Sequence, residues 1–335
     1  MVQSRERIEA AMALDMVDRP AFSLWGHKYL KEWSPNELAE ATIQEQKKFL
    51  WDLIKFQPRA TCFAEALGNV YRPSGQYNKA PIPEKVIVNE PSDWSRVDVP
   101  TLAEAGSLLD QVLAIETVAS HFKGTVPVIQ TIFSPLTVAG YLVNQDHEKL
   151  YAHLKAQKNT IKGLLNRIAD LLVEFASSSI DHGADGIFFA ISGYASKNEL
   201  DYDEYLTEIA PFDEKVLSAI GEHMIKVLHL CGSNVYMELA RKFSCNIVSY
   251  DNFLEGNPQL KAAIEFTGKA VMGGIDRENA LLKGTPEDVM LQATNSIKET
   301  GGKGLIVAAG CSISPEVTDE NKFALQRVVM QYSIT

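Results

Sequence analysis

The sequence predicts a single (β/α)8 barrel, and three observations carry that prediction. Short β-prone apolar runs alternate with amphipathic stretches along the whole chain. Eight such units fill about 300 residues, the size of one barrel rather than of two doubly wound halves. No Gly/Ser-rich or Pro-rich linker divides them, so residues 1–335 are expected to form one domain. At 335 residues and 46% hydrophobic composition, the chain can bury a large core.

The candidate strands, in order, are Ala21–Leu24, Ala60–Ala64, Val126–Phe133, Asp185–Ile191, Lys226–Cys231, Asn246–Tyr250, Ala270–Gly273 and Leu305–Ala309. Helices are expected between them. Ser34-Pro35-Asn36-Glu37 is a capping box with Pro at the first helical position, opening a helix to about Phe56. Glu148–Ser178 places Leu164, Ile168, Leu171, Leu172 and Phe175 at helical spacing and reads as one helix. Thr285-Pro286-Glu287-Asp288 caps another, which Gly301-Gly302 stops. Pro73–Pro100 has no clear periodicity and reads as a long insertion after the second strand.

Composition excludes several classes of partner. The formal net charge of −11, with no Lys/Arg cluster against it, speaks against nucleic acid and anionic membrane. The N-terminus is charged from the start and lacks the apolar stretch of a secretory signal. No apolar run approaches the ~20 residues that span a bilayer. Four scattered cysteines do not form a disulfide framework and suit a reducing compartment, so a cytoplasmic protein is expected.

The chemistry concentrates at two strand ends. His229-Leu230-Cys231-Gly232 closes the fifth expected strand, and Gly310-Cys311 closes the eighth. Residues i and i+2 of a strand share a face, so His229 and Cys231 can converge on one ion. Barrel sites form at the C-terminal ends of strands, which puts Cys311 on the same face of the molecule. Imidazole plus two thiolates is a soft, zinc-preferring set, and three protein ligands leave a fourth position open. The competing reading is ordinary buried thiols beside a core histidine, since free Cys is often buried. That packing reading is kept for Cys62, expected mid-strand, and for Cys245, expected where a strand begins on the opposite face.

These residues resemble the uroporphyrinogen decarboxylase superfamily and, within it, the zinc-dependent methylcobamide:thiol methyltransferases. The resemblance runs nearly end to end. It starts at Arg5-Glu-Arg-Ile-Glu-Ala-Ala-Met and Asp18-Arg19-Pro20 and passes through Gly183-Ala-Asp-Gly, His229-Leu-Cys-Gly and Gly273-Gly-Ile-Asp276. It ends with Gly284-Thr-Pro-Glu-Asp-Val, Gly310-Cys-Ser-Ile and Glu320-Asn321. The His-x-Cys-Gly and Gly-Cys pair is similar to the methyltransferase branch; the other segments mark only the superfamily. The resemblance implies zinc on His229, Cys231 and Cys311, and transfer of methyl between a corrinoid and a small thiol acceptor or methylated donor. Zinc strips the proton from a bound thiol and presents the thiolate as nucleophile.

The decarboxylase branch fits less well and stands as the alternative: a lyase acting on a carboxylate substrate. Its members carry an arginine pair after strand one that grips a polycarboxylate porphyrinogen. Here the segment is Ser23-Leu-Trp-Gly-His-Lys-Tyr29, where Lys28 is a weak replacement for bidentate arginines. A corrinoid- or tetrapyrrole-binding protein without catalysis is a third reading.

Further residues are candidates for the same face. Glu65, in Phe63-Ala-Glu-Ala-Leu-Gly, corresponds to the family's carboxylate after strand two and could orient substrate or take the thiol proton; a capped or solvated loop acid is the equal alternative. Asp251, in Ser249-Tyr-Asp-Asn, could be a fourth ligand that substrate displaces, or a turn-forming Asp. Asp276 reads first as a strand-end structural residue and is carried as a pocket candidate. His27 and Tyr194, after strands one and four, could line the pocket, although exposed loop positions are the plainer reading for both.

No Asp-x-His-x-x-Gly corrinoid-binding element occurs, because Asp146-His147 and Asp181-His182 lack the spacing. A methylated corrinoid is therefore expected to arrive on a separate corrinoid protein. No Walker loop and no Gly-x-Gly-x-x-Gly opens a nucleotide site.

Overall fold

The computed structural model describes residues 2–332; Met1 and residues 333–335 of the expected domain lie outside the described residues. Eight parallel strands curl into a barrel with helices around it. In chain order the elements are α1 (Ser4–Met12), β1 (Ala21–Phe22), α2 (Pro35–Phe49), β2 (Ile54–Phe56), α3 (Cys62–Ala66), β3 (Val70–Arg72), β4 (Ile82–Lys85), α4 (Gly106–Phe122), β5 (Val128–Phe133), α5 (Pro135–Leu142), α6 (His147–Ala156) and α7 (Lys158–Asp181). The second half holds β6 (Gly186–Ile191), α8 (Tyr202–Glu208), α9 (Ala210–Ser218), β7 (Ile225–Leu230), α10 (Leu239–Lys242), β8 (Ile247–Tyr250), α11 (Leu260–Thr267), β9 (Ala270–Ile275), α12 (Pro286–Thr300), β10 (Leu305–Ala309) and α13 (Asp319–Gln331).

The sheet order is β1-β10-β9-β8-β7-β6-β5-β2. Each sequential neighbour is parallel, as short βα units with right-handed crossovers require. The seam between β1 and β2 is joined by the Asp52 amide donating to Phe22 O at 2.9 Å and by Ser23 Oγ donating to Leu53 O at 2.7 Å. The Asp18-Arg19-Pro20 segment serves this seam. Arg19 and Arg7 both donate to the buried Asp52 carboxylate, which also accepts from Ser4 Oγ and the Phe22 amide. A buried carboxylate is tolerated because each oxygen is matched by a cation or an N–H.

The second expected strand is corrected. Ala60–Ala64 is not a strand: Cys62–Ala66 is α3, and Cys62 sits in a helix, fully buried. The true second strand, Ile54–Phe56, lies where helix α2 was expected to continue. That helix stops at Phe49 because Leu50 takes a left-handed conformation with φ +56°. Lys55 in the middle of β2 disguises it as a polar, non-strand segment. The expected helix over Glu148–Ser178 is also two: α6 and α7 meet at Gln157, whose φ/ψ of −134°/38° breaks the helical path. The expected insertion contains the β3–β4 hairpin and the 3-10 turn Pro91–Arg96, whose Trp94 is fully buried.

Candidate metal centre

The centre is built from strand register. His229 of β7 pairs with Ser249 of β8, and directly paired residues of parallel strands face the same side. Both therefore point into the barrel near its C-terminal mouth. Ser249 Oγ lies 3.1 Å from His229 Nδ1 and fixes the ring, leaving Nε2 to face the mouth. Cys231 follows the strand, its amide donating to Ile191 O at 3.1 Å, and Gly232 turns the chain away at φ +105°. Cys311 arrives from the end of β10, preceded by Gly310. A Cβ on Gly310 would stand 2.3 Å from Asp251 Cα and 2.5 Å from Asp251 Cγ, so only glycine brings this loop close enough.

The three ligand atoms converge. Cys311 Sγ is 3.5 Å from His229 Nε2 and 3.9 Å from Cys231 Sγ, and all three atoms lie within 4.8 Å of one another. A tetrahedral ion with metal–sulfur near ~2.3 Å and metal–nitrogen near ~2.0–2.1 Å has ligand edges of about 3.8 Å (S–S) and about 3.5 Å (S–N). The residues thus fit such an ion without rearrangement of these two edges. The cysteines are free thiols, far beyond disulfide bonding length. The pairing with Cys231, with His229 nearby, holds Cys311 well below the ordinary thiol range. Cys231 is pushed well above it by that same pairing and by burial. Among the described residues this is the sole cluster of three or more His, Cys, Asp or Glu side chains able to hold a metal.

Asp251 lies beside the centre. It is buried against Gly310, and its Oδ1 accepts from the Phe253 amide at 3.0 Å. Burial raises its carboxyl above the usual range despite that bond. Arg277, after β9, lays positive charge on Asp251, Cys231 and Cys311 alike.

The remaining candidates are not members of the three-residue cluster. Glu65 lies in α3 rather than after a strand, and both its oxygens are committed to Arg59: Nε–Oε1 is 2.9 Å and Nη2–Oε2 is 2.6 Å. Asp276 caps the short helix Arg277–Leu282, with Oδ1 accepting from the Glu278 and Asn279 amides. Burial works against its ionisation, but these bonds hold its carboxyl below the usual range. Tyr194 is not an exposed loop residue: it is 2% exposed, stacks on His147 at 4.5 Å and fills the space beside Gly140. His27 binds Glu32 through Nδ1 at 2.8 Å and stacks on Tyr29. It lines a cleft of about 310 Å3, with Tyr29, Ile313 and Ser314, that opens two residues beyond Cys311. Lys28, the weak stand-in for an arginine clamp, is paired to Glu45 at 2.6 Å.

Sequence reasoning missed Ser249, Arg277 and the lumenal Lys55. Ser249 could have been found only from the β7–β8 register, and Arg277 from its place after Gly273-Gly-Ile-Asp276.

A parallel eight-stranded barrel with a His/Cys/Cys cluster at its C-terminal mouth defines a barrel enzyme scaffold with a candidate three-ligand thiolate metal site. The uroporphyrinogen decarboxylase (URO-D) family model matches residues 32–332, and the chain belongs to that family. It is 23% identical over 312 residues to a uroporphyrinogen decarboxylase of Pseudoalteromonas translucida, covering 89% of this chain and 84% of that one. It is 26% identical over 262 residues to the methylcobamide:CoM methyltransferase MtbA of Methanosarcina acetivorans, covering 76% and 72%. A methyltransferase from Methanosarcina mazei shares the fold across 99% of both chains, with a TM-score of 0.82 and 19% identity. The family is thus one of enzymes whose members include both methyltransferases and decarboxylases.

Proposed function

We propose that this protein is a zinc-dependent methyltransferase that moves a methyl group between a corrinoid, carried by a separate corrinoid protein, and a small thiol acceptor or methylated donor. The observation that carries this reading is the ligand triangle: two of its edges, 3.5 and 3.9 Å, match a tetrahedral zinc site, and all three atoms lie within 4.8 Å of one another. The MtbA relative, named for methyl transfer from a cobamide to CoM, supports the same chemistry.

His229, Cys231 and Cys311 would hold the ion. When bound, zinc supplies Lewis acidity that deprotonates a thiol and keeps it nucleophilic towards methyl. The chain's own residues prepare that chemistry. Ser249 holds the His229 tautomer and ring plane through Nδ1. Cys231 and Cys311, as anionic ligands, would temper the acidity of a bound ion. Asp251, buried against Gly310 with one oxygen bonded to backbone, would be the candidate for the open position, although it is outside the three-residue cluster itself. The cleft beside His27 and Ile313 would be the approach for a small substrate past the β1 and β10 loops; the three ligand residues do not line it. A decarboxylase acting on a porphyrinogen needs desolvated cations for many carboxylates. Around the β1 loop Lys28 is paired to Glu45, and Arg59 after β2 is tied to Glu65 and to Glu32 O.

The test is metal analysis followed by turnover. Purified protein should carry close to one zinc per chain. With zinc and a methylated corrinoid it should convert methyl-cobalt(III) to cob(I)amide when thiol is added, or run the reverse with a methylated donor, read from the corrinoid spectrum. Zinc-replete protein that is inert across a broad panel of thiols and methyl donors, yet decarboxylates uroporphyrinogen, would overturn the reading.

A further inference from the structure

Lys55 is a buried amine that the chemistry above leaves without a task. It sits in the middle of β2 and pairs with Ile129 of β5, which pairs with Gly186 of β6, which pairs with Ile225 of β7. His229 is four residues on from Ile225 along β7. With an alternation of two, Lys55 and His229 therefore share the inner face of the barrel. The Lys55 residue is only 6% exposed. Its Nζ lies 4.6 Å from the Phe188 ring centroid and 5.6 Å from that of Trp25, and it donates to Gln57 Oε1. Phe188 in turn packs against the His229 ring at 5.1 Å, so one aromatic ring separates the amine from the imidazole.

A buried lysine normally needs a carboxylate, because an uncompensated charge in low dielectric is costly. Among the described residues Lys55 makes no salt bridge. Burial pushes its amine down to about 7. The charged groups that act on it are Cys311 first, then Glu32, both favouring the ammonium, and Lys28, which opposes it. His229 lies beyond Phe188, and His27 lies within 3.2 Å of Gln57. Two aromatic faces and an amide oxygen make a pocket that accepts an ammonium when a negative charge appears nearby.

The charge balance of the centre supplies that negative charge. With two thiolates on a divalent ion, a third sulfur anion would add one negative charge in a mostly buried setting, where Arg277 and Asp251 already act on the cysteines. We propose that Lys55 is the counter-ion of the substrate sulfur and takes up the proton that an incoming thiol gives up. In this step the S–H bond breaks, the electron pair stays on sulfur, and an N–H bond forms on Nζ. R–SH and the neutral amine become R–S⁻ and the ammonium, with no net proton leaving the protein. The inference rests on the zinc-thiol reading above and adds where the proton goes.

Zinc content and the proton count on thiol binding test it. The zinc-loaded chain is titrated with 2-mercaptoethanol at pH 8 in buffers of different ionisation enthalpy, by calorimetry. Wild type should release close to zero protons per thiol bound. Lys55→Met and Lys55→Gln should each release about one and bind the thiol about tenfold more weakly or worse at this pH. Melting curves establish that the variants fold; if both unfold, the wild-type count alone decides. A chain that takes up no zinc overturns the metal reading and this inference with it. A zinc-loaded wild type that releases a full proton overturns the role of Lys55 alone, as do folded variants whose proton count equals wild type. Variants that lose affinity only for carboxylate-bearing thiols, with the 2-mercaptoethanol count unchanged, would show that Lys55 grips a substrate tail instead.

Discussion

Single atoms decide whether three side chains become a metal site. Ser249 Oγ holds His229 Nδ1, and second-sphere partners of this kind set ligand orientation and basicity. Ser249→Ala should weaken zinc binding about 10- to 100-fold, measured by competition with a chromophoric chelator, while the fold stays intact. Cys311→Ser should lower both metal affinity and activity without unfolding, because Cys311 sits on a loop over a core formed elsewhere. A large loss of melting temperature in that variant, from a wild type that carries no metal, would make Cys311 a core residue. The convergence of His229 and Cys231 was legible from period two alone, and Cys311 from the barrel rule that strand ends meet at one mouth. Ser249 was not legible, because its role depends on which residue of β8 lies opposite His229. Asp251 was visible as a candidate, but its contact with Gly310 depends on the approach of two loops far apart in sequence.

At the scale of elements, the strands buried on both faces announced themselves and the interrupted ones did not. Val128–Phe133, Gly186–Ile191 and Leu305–Ala309 are continuous buried runs, as parallel barrel strands must be. β2 is three residues long with a lysine at its centre, so its apolar pattern dissolves, and the run Ala60–Ala64 imitates it. The end of α2 carries no glycine or proline; a left-handed Leu50 stops it, which propensity does not foresee. This shift of the second strand also moves Glu65 from a strand end into α3. There it forms a bidentate pair with Arg59, whose guanidinium covers Trp33 at 4.3 Å and reaches Glu32 O. Glu65→Gln leaves a nearly buried guanidinium without its charge partner, which costs roughly 3–5 kcal/mol. The variant should show a lower melting temperature and an unchanged zinc content. A variant of native stability that turns over slowly would instead return Glu65 to the chemistry.

The stability of the whole molecule should carry a pH signature from a buried carboxyl on α9. Asp213 of α9 is fully buried; its Oδ2 accepts from Tyr205 at 2.5 Å, and its Oδ1 has no partner among the described residues. Burial outweighs the Tyr205 hydrogen bond and raises the carboxyl to about 7. In the unfolded chain the same group titrates near ~3.9. Between those values the folded protein binds the proton that the unfolded chain has lost. The contribution of Asp213 is therefore fully present below about pH 4 and falls as pH rises towards about 7, by up to about 1.4 kcal/mol per pH unit. Above that range the fold carries a buried carboxylate with half its oxygens unpaired. Asp213→Asn removes the titration and keeps the size of the side chain. Denaturant unfolding of wild type and variant from pH 5 to 8 should give curves whose difference grows with pH, the variant gaining relative stability until about pH 7 and then holding level. A difference independent of pH would place the Asp213 proton elsewhere.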